Sequence, residues 1–100
     1  MAGDPNGSRR WDVRTGEGKE FIKRWQEFLA WSREAHQALT FASLIRSDTD
    51  QSRFASFAEW ETSQDRATSQ NSDGFLKRFS SCRELADDFE GGDFTLIASV

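Results

Sequence analysis

The segment SRFASFAEWETSQ, residues 52–64, constrains the fold of this chain more than any other feature. Its side chains alternate, so that Phe54 and Trp60 project to one face while Phe57 projects to the other. A period of two is typical of a β-strand. Large apolar residues on both faces predict a sheet that is covered on both sides. A single layer of helices covers only one face, so the other face requires a second cover.

The rest of the chain alternates between strand and helix patterns. From Lys19 the apolar residues follow a helical period of 3.6, and this pattern should end near His36. Thr62 is a predicted N-cap with Asp65 three residues later, and Asn71 or Ser72 is a predicted cap for the next helix. The first predicted elements are strand 9–15, helix 19–36 and strands 40–46 and 53–60, followed by a short helix within 62–71. The last predicted helix has an apolar stripe of Phe75, Phe79, Cys82 and Ala86 and ends at EGGD (90–93). Strand 94–100 closes the chain.

This order predicts the fold class α+β, with a ferredoxin-like βαββαβ arrangement and a four-stranded antiparallel sheet. Its right-handed crossovers place the helices on one face of that sheet. The opposite face would expose a large apolar patch in a monomer, which soluble proteins avoid. We therefore expect a homodimer in which two sheets pack face to face about a two-fold axis. Residues 1–8 are polar and predict a disordered leader to a single domain, 9–100.

The charge and composition of the chain disfavour several classes of partner. The net charge is −4, and Lys and Arg are dispersed among seventeen carboxylates, so we expect no nucleic-acid partner. No apolar run approaches the roughly 18 residues of a membrane span, and the N-terminus lacks the apolar segment of a secretory signal, so we expect no membrane partner. A single cysteine forms no internal disulfide, which favours a cytoplasmic location.

Several motifs resemble a known family. GKEFIKRW at the start of the first helix, RFASFAEWET and GFLKRF are similar to segments of the antibiotic biosynthesis monooxygenase family, which belongs to the dimeric α/β-barrel superfamily. The resemblance runs from about Arg9 to Val100. It implies a ferredoxin-like homodimer with a pocket between helices and sheet that takes a small aromatic molecule. It also implies cofactor-independent oxygenation of aromatic polyketides or quinols, with no cofactor.

The functional residues of the family carry over poorly. A related branch that degrades haem uses Asn, Trp and His at positions that align with Arg9, Ser69 and Phe79 of this chain. All three residue types differ, so haem degradation is not expected. The chain also has no Tyr, which excludes an oxygenase mechanism that depends on that side chain. A mechanism that needs an aromatic pocket, a base and a substrate anion that reacts with oxygen remains open.

The candidate catalytic residues are His36 and Glu59, each a possible general base. His36 has the only side chain whose ordinary pKa lies near neutrality, and burial of Glu59 would raise the pKa of its carboxyl group. Equally, His36 suits the C-terminal end of a helix dipole, and Glu59 suits a solvated strand edge. The candidate substrate-binding residues are the aromatic side chains around the expected pocket and one strand-end arginine: Phe21, Trp25, Phe57, Trp60, Phe75, Phe79 and Arg46.

The alternatives are purely structural: the aromatic residues pack in the hydrophobic core, and Arg46 makes an ion pair at the surface. A non-catalytic dimeric module that binds a small molecule or serves a stress response therefore stands as the second function. No metal site is expected. Asp48, Asp50 and Ser52 fit the first positions of a calcium loop, but Arg53 stands where that loop requires Gly. One His and Cys82 do not suffice for zinc, and Cys82 lies inside a helix stripe, as an inert buried thiol does.

Overall fold

A four-stranded antiparallel sheet forms the frame of the protein in the computed structural model, which describes residues 3–99. The strand order is β2-β3-β1-β4, so the first and last strands of the chain are neighbours. This topology confirms the predicted ferredoxin-like α+β fold. The elements are β1 (Pro5–Val13), α1 (Gly18–Ala35), β2 (Leu39–Arg46), β3 (Arg53–Trp60), α2 (Ser63–Gln70), α3 (Asp73–Arg83) and β4 (Ala86–Thr95).

The alternation that predicted β3 is present in the structure. Phe54 and Trp60 are 2% and 5% exposed on the face that packs against the helices, whereas Phe57 is 38% exposed on the other face. On β2, Phe41 and Ile45 lie on the same outer face and are more than half exposed. The outer face of the sheet is therefore partly apolar, as the sequence predicted.

The first helix forms where the period of 3.6 predicted it. Gly16 adopts a φ of +88°, a value that suits glycine, and this turn leads the chain from β1 into α1. The buried residues of α1 are spaced four, three and four apart, so they form one stripe against the sheet: Phe21, Trp25, Phe28 and Ser32. The core between helices and sheet also includes Trp11, Val13, Phe54, Phe75, Cys82, Leu85 and Ala86.

Side-chain caps begin the two later helices. The Thr62 hydroxyl accepts a hydrogen bond from the Asp65 amide at 3.0 Å, which confirms the predicted cap of α2. The Ser72 hydroxyl accepts from the Phe75 amide at 3.2 Å, so Ser72 is the cap of α3. These bonds satisfy amides that have no partner within their own helix.

The end of the chain differs from the prediction. Helix α3 stops at Arg83, well before EGGD, and β4 begins at Ala86 and runs through the two glycines to Thr95. The strand pairs with β1, with Trp11 opposite Phe89 and a register shift between Asp12 and Val13. The helical stripe misled because Ala86 also faces the core from a strand. Residues 96–99 lie outside any strand, and Val100 lies outside the described residues.

The start of the chain also differs. Strand β1 begins at Pro5 and ends at Val13, so residues 5–8 of the predicted leader are part of the sheet. Their polar composition hid this, since the strand is held by backbone pairing to β3 and β4 on both sides. Residues 1 and 2 of that leader lie outside the described residues. Among residues 3–99 no helix has the length and apolar character needed to cross a membrane.

Candidate ligand-binding recess

A recess opens between α1 and the sheet. It measures about 480 Å³, including the space at its mouth that is open to solvent. The space within it that a water-sized sphere can reach is about 50 Å³, so a ring-sized ligand would displace side chains at its mouth. Its wall is mostly apolar and draws on every strand except β4: Gly7, Arg9, Trp25, Phe28, Leu29, Ser32, Leu39, Ala42, Ser56, Phe57, Ala58, Trp60, Gln70 and Phe75.

Aromatic rings form two sides of this recess. Trp25 projects from α1 and Trp60 from the end of β3, and both side chains are largely buried. Phe28 meets Phe75 edge to face, with ring centroids 5.1 Å apart, and so joins α1 to α3. Rings held in this way form flat walls, which suit a planar aromatic ligand.

The polar groups of the recess are few. Ser32 and Ser56 are buried, and the Ser56 hydroxyl accepts a hydrogen bond from Nε1 of Trp11 at 3.0 Å. Gln70 contributes from the end of α2. None of the described residues around the recess is a carboxylate or a histidine. Arg9 is the one charged residue among the lining residues that the structure describes.

Arg9 projects from the helix-facing side of β1 and stacks on two phenylalanine rings. Its guanidinium carbon lies 5.4 Å from the centroid of Phe75 and 5.3 Å from that of Phe79. The two rings are themselves stacked, 5.9 Å apart and 9° from parallel. Burial lowers the pKa of Arg9 from its ordinary value, and the negative charge of Asp93 acts in the opposite direction, as does Cys82 once its thiol is ionised at high pH.

His36 lies beside the recess without lining it. Its ring contacts Trp31 and Trp60 edge to face, at centroid distances of 5.4 and 6.1 Å. Its Nε2 atom is buried and has no hydrogen-bond partner, a property shared with the hydroxyl of Ser69. A polar atom in that state is costly unless a ligand or water supplies a partner.

The remaining predicted site residues divide between the recess and other places. Trp25, Phe57, Trp60 and Phe75 border it, although Phe57 alternates toward the outer face of the sheet. Phe79 borders a neighbouring recess together with Arg9, Gln70 and Phe75. Phe21 is fully buried in the core. These positions keep most of the predicted aromatic set near one cavity.

Two predicted polar residues are not brought to this recess. Glu59 of β3 lies opposite Asn6 of β1 and Phe41 of β2. Its side chain is therefore on the face of the sheet away from the helices. Arg46 stacks over Phe54 at 4.9 Å and borders two other surface recesses. Their positions in alternating strands decide this, because adjacent residues of a strand point to opposite faces.

Sequence reasoning missed Arg9 as a lining residue. The signal was present in RRWDVRT, since Arg9 has the same parity as Trp11 and Val13 and therefore shares their face. Gln70 had no such signal, because its place depends on where the short α2 ends. Ser32 and Ser56 stood in apolar stripes, and only packing shows that their hydroxyl groups border a cavity.

Cys82 is a buried thiol in α3. Burial raises its pKa from 9.0 to about 11, while the positive charges of Arg24 and Arg9 oppose the rise. It is therefore neutral near pH 7, as expected of an unreactive core thiol. Within residues 3–99 no three His, Cys, Asp or Glu side chains are grouped so that they could hold a metal ion.

Comparison with solved structures confirms the fold resemblance. SnoaB from Streptomyces nogalater, a cofactor-independent oxygenase, superposes with a TM-score of 0.88 at 20% identity, over 99% of this chain and 98% of that one. A candidate antibiotic biosynthesis monooxygenase from Nitrosomonas europaea gives 0.82 at 14% identity, over 95% and 91%. A conserved protein from Methanosarcina mazei gives 0.85 at 12% identity, over 95% and 94%.

The sequence itself matches no protein-family model and no curated protein. At identities of 20% and below, the three likenesses concern the path of the backbone and not the side chains of the site. The chain therefore has the fold shared by SnoaB and the antibiotic biosynthesis monooxygenase-like structures, built around an aromatic recess of its own composition.

Proposed function

We propose that this protein is a small cofactor-independent oxygenase acting on a quinol or another phenolic polycyclic aromatic compound. The observation that carries this proposal is the recess between α1 and the sheet, whose walls are aromatic and whose one charged residue is a cation. The likeness to SnoaB, itself a cofactor-independent oxygenase, supports the same class of reaction.

The chemistry of this proposal belongs largely to the substrate. An ionised phenol passes an electron to O₂, and the phenoxyl radical and superoxide combine at a ring carbon that bears hydrogen. The resulting peroxide anion takes up the proton that the phenol had lost, and loss of water from this hydroperoxide leaves the quinone. One oxygen atom enters the product and the other leaves as water. The protein contributes orientation between Trp25 and Trp60 and exclusion of bulk water from the substrate anion.

His36 is the candidate base within this proposal. Its ring lies against Trp60, and its buried Nε2 lacks a partner. The hydroxyl group of a phenol held against Trp60 would reach Nε2 of His36 after a small shift of the ligand or through one bridging water. Glu59 lies on the opposite face of β3 and is not part of the proposed reaction.

Oxygen uptake tests the proposal. Purified protein is mixed with a panel of quinols and hydroxylated naphthalenes in an oxygen electrode cell. We expect uptake above the rate in buffer, reduced at least tenfold in Trp60→Ala and His36→Gln, and unchanged in Ser80→Ala, which alters an exposed residue of α3. Uptake no faster than in buffer across the whole panel would contradict an oxygenase.

A second candidate is a binding module that keeps the fold without the reaction. The absence of a carboxylate and of a histidine from the described wall of the recess favours it. Calorimetric titration of the same compounds under nitrogen separates the two candidates. Binding of a quinol that is never consumed under air would support the module.

We also propose that two copies pair through the outer faces of their sheets. Phe41, Ile45 and Phe57 are 53%, 55% and 38% exposed there. Arg10 lies on the same face and pairs with Asp12 and Asp88, so this surface carries both signs of charge and can complement itself about a two-fold axis.

Sedimentation at micromolar concentration tests this pairing. We expect a dimer for the natural chain and a shift toward monomer in Phe57→Ser. Leu76→Ser is the matched control, because Leu76 is similarly exposed but lies on α3, on the helix side of the sheet and not on its outer face. A natural chain that sediments as a folded monomer would remove the pairing.

A further inference from the structure

Arg9 is a partly buried charged side chain that has no polar partner among residues 3–99. It stands between Gly7 and Trp11 on the side of β1 that packs against the helices. Within residues 3–99 its guanidinium makes no hydrogen bond and no ion pair, and its contacts are with the rings of Phe75 and Phe79. A guanidinium presents five N–H donors and stays charged, so such a group is unusual.

The nearby acidic group is engaged elsewhere. The carboxylate of Asp93 acts on Arg9 through its charge, but its Oδ1 lies 3.6 Å from Nε of Arg66. Arg66 in turn donates to the backbone oxygen of Asn6 at 3.1 Å. Asp93 is thus directed to a different arginine, and the donors of Arg9 keep their hydrogen-bonding capacity for another acceptor.

Two glycines leave space around Arg9. A Cβ atom at Gly91 would lie 3.2 Å from Cγ of Arg9 and 2.8 Å from the ring of Phe89, so only glycine fits beside the arginine stem. Gly7 lies two residues before Arg9 on the same face of β1, and a Cβ atom there would meet nothing within 4 Å. Gly7 borders the recess, so the open space there lies on the recess side of the strand.

Arg9 stands where two recesses adjoin. Arg9, Gln70 and Phe75 border both the recess between α1 and the sheet and the neighbouring one near β4. A ligand in the recess would share its wall with Arg9, Trp25 and Trp60. The contacts with the two phenyl rings hold the guanidinium near one place, which limits the ordering cost of binding an oxygen there.

We infer that the recess selects aromatic ligands that carry an anionic oxygen, a carboxylate or an ionised phenol, and that Arg9 binds that oxygen. This inference rests on the proposed function only in taking the recess as the ligand site, and it deepens that function by naming the charge of the ligand. A charge-assisted bond from a guanidinium is stronger than a bond between neutral groups and is geometrically selective. The same contact would hold a phenol in its ionised form.

Calorimetry under nitrogen tests the inference without any oxygen reaction. The probes are 2-naphthoate and 2-naphthamide, which share a ring system and differ in charge. We expect the natural chain to bind the naphthoate at least tenfold more tightly. Arg9→Gln should abolish that preference and Arg9→Lys should keep part of it, because lysine retains the charge but not the planar fork.

Arg78→Gln is the matched control. Arg78 also stacks on an aromatic ring, that of Trp31 at 4.4 Å, but it does not border either recess. We expect the Arg78→Gln protein to show the same preference for naphthoate over naphthamide as the natural chain. A preference that survives in Arg9→Gln, or no preference in the natural chain with either probe bound, would overturn the inference.

The bound form of 2-naphthol distinguishes the two kinds of anion. If Arg9 binds an ionised phenol, naphtholate absorbance should appear in the complex at a pH where free naphthol is neutral, and it should be lost in Arg9→Gln. A carboxylate site shows the naphthoate preference without this absorbance. Absence of both signals overturns the inference.

Thermal unfolding of the free protein separates ligand binding from a structural role. An arginine kept for its ligand is an unpaired charge in the free protein, so Arg9→Gln should leave the unfolding temperature unchanged or raise it. A lower unfolding temperature with the naphthoate preference intact would assign Arg9 to stability alone. Oxygen uptake is measured separately. Selective binding of the anion without oxygen uptake would contradict the proposed oxygenase activity and would still support the inference about Arg9.

Discussion

The hydrogen bond between Trp11 and Ser56 gives the sharpest test of how this core is held together. Nε1 of Trp11 donates to the Ser56 hydroxyl at 3.0 Å, and the two residues are 0% and 4% exposed. Ser56→Ala keeps the strand and removes only the acceptor. The indole N–H then stays buried without a partner, which costs about 1–3 kcal/mol of the free energy of unfolding.

Denaturant unfolding followed by tryptophan fluorescence measures this loss. All variants are compared at one protein concentration, because association would make the apparent stability depend on concentration. For a chain of this size, 1 kcal/mol corresponds to a fall of about 4–8 °C in the unfolding temperature. Ser80→Ala serves as control, since Ser80 is exposed on α3 and its replacement should change stability by less than about 0.5 kcal/mol.

A double-mutant cycle assigns the loss to the bond itself. Trp11→Phe removes the donor, and in that background Ser56→Ala should cost about 1 kcal/mol less than in the natural chain. If the two changes add to within about 0.5 kcal/mol, the hydrogen bond contributes nothing to stability and the reasoning is refuted. The Phe variant is expected to remain folded, because the ring contacts of Trp11 with Phe21 and Phe89 survive in part.

Three further predictions concern α3. Ser72→Ala removes the cap that accepts the Phe75 amide, and we expect a loss of about 1 kcal/mol in a denaturant titration, whereas Ser72→Asp should retain most of it. Gly74→Ala places a Cβ atom into the ring of Trp31, so we expect destabilisation of about 1–3 kcal/mol instead of the usual gain of alanine over glycine in a helix. The Cys82 thiol has its pKa raised to about 11 in the folded protein, so the folded state favours the neutral form; its contribution is complete below pH 9.0 and is lost as pH rises toward about 11. The unfolding midpoint should therefore decrease more between pH 8 and pH 10.5 in the natural chain than in Cys82→Ala. An equal decrease in the two proteins would contradict this assignment.

Local signals account for the elements that the sequence predicted correctly. The alternation in β3 depends only on the geometry of one strand, and the stripe of α1 only on the geometry of one helix. The caps at Thr62 and Ser72 are likewise bonds within three residues of chain. Such features can be recognised without knowing what packs against them.

Part of the predicted aromatic set lies together for the same reason. Trp25, Trp60 and Phe75 follow from their faces, and these three side chains do border one recess. The candidate base Glu59 does not join them, although it is the neighbour of Trp60 in sequence. In a strand that adjacency places the two side chains on opposite faces, so the carboxylate lies on the outer side of the sheet.

The sequence by itself determined the order of elements, the helix starts and the two apolar faces of the sheet, because each is a property of consecutive residues. Only the tertiary structure decided where α3 gives way to β4 and what surrounds Arg9. Residues 86–93 suit a helix end by their own pattern, but pairing with β1 at the opposite end of the chain draws them into the sheet. That pairing sets Gly91 beside Arg9 and leaves its guanidinium stacked on phenyl rings, an environment created by residues distant in sequence.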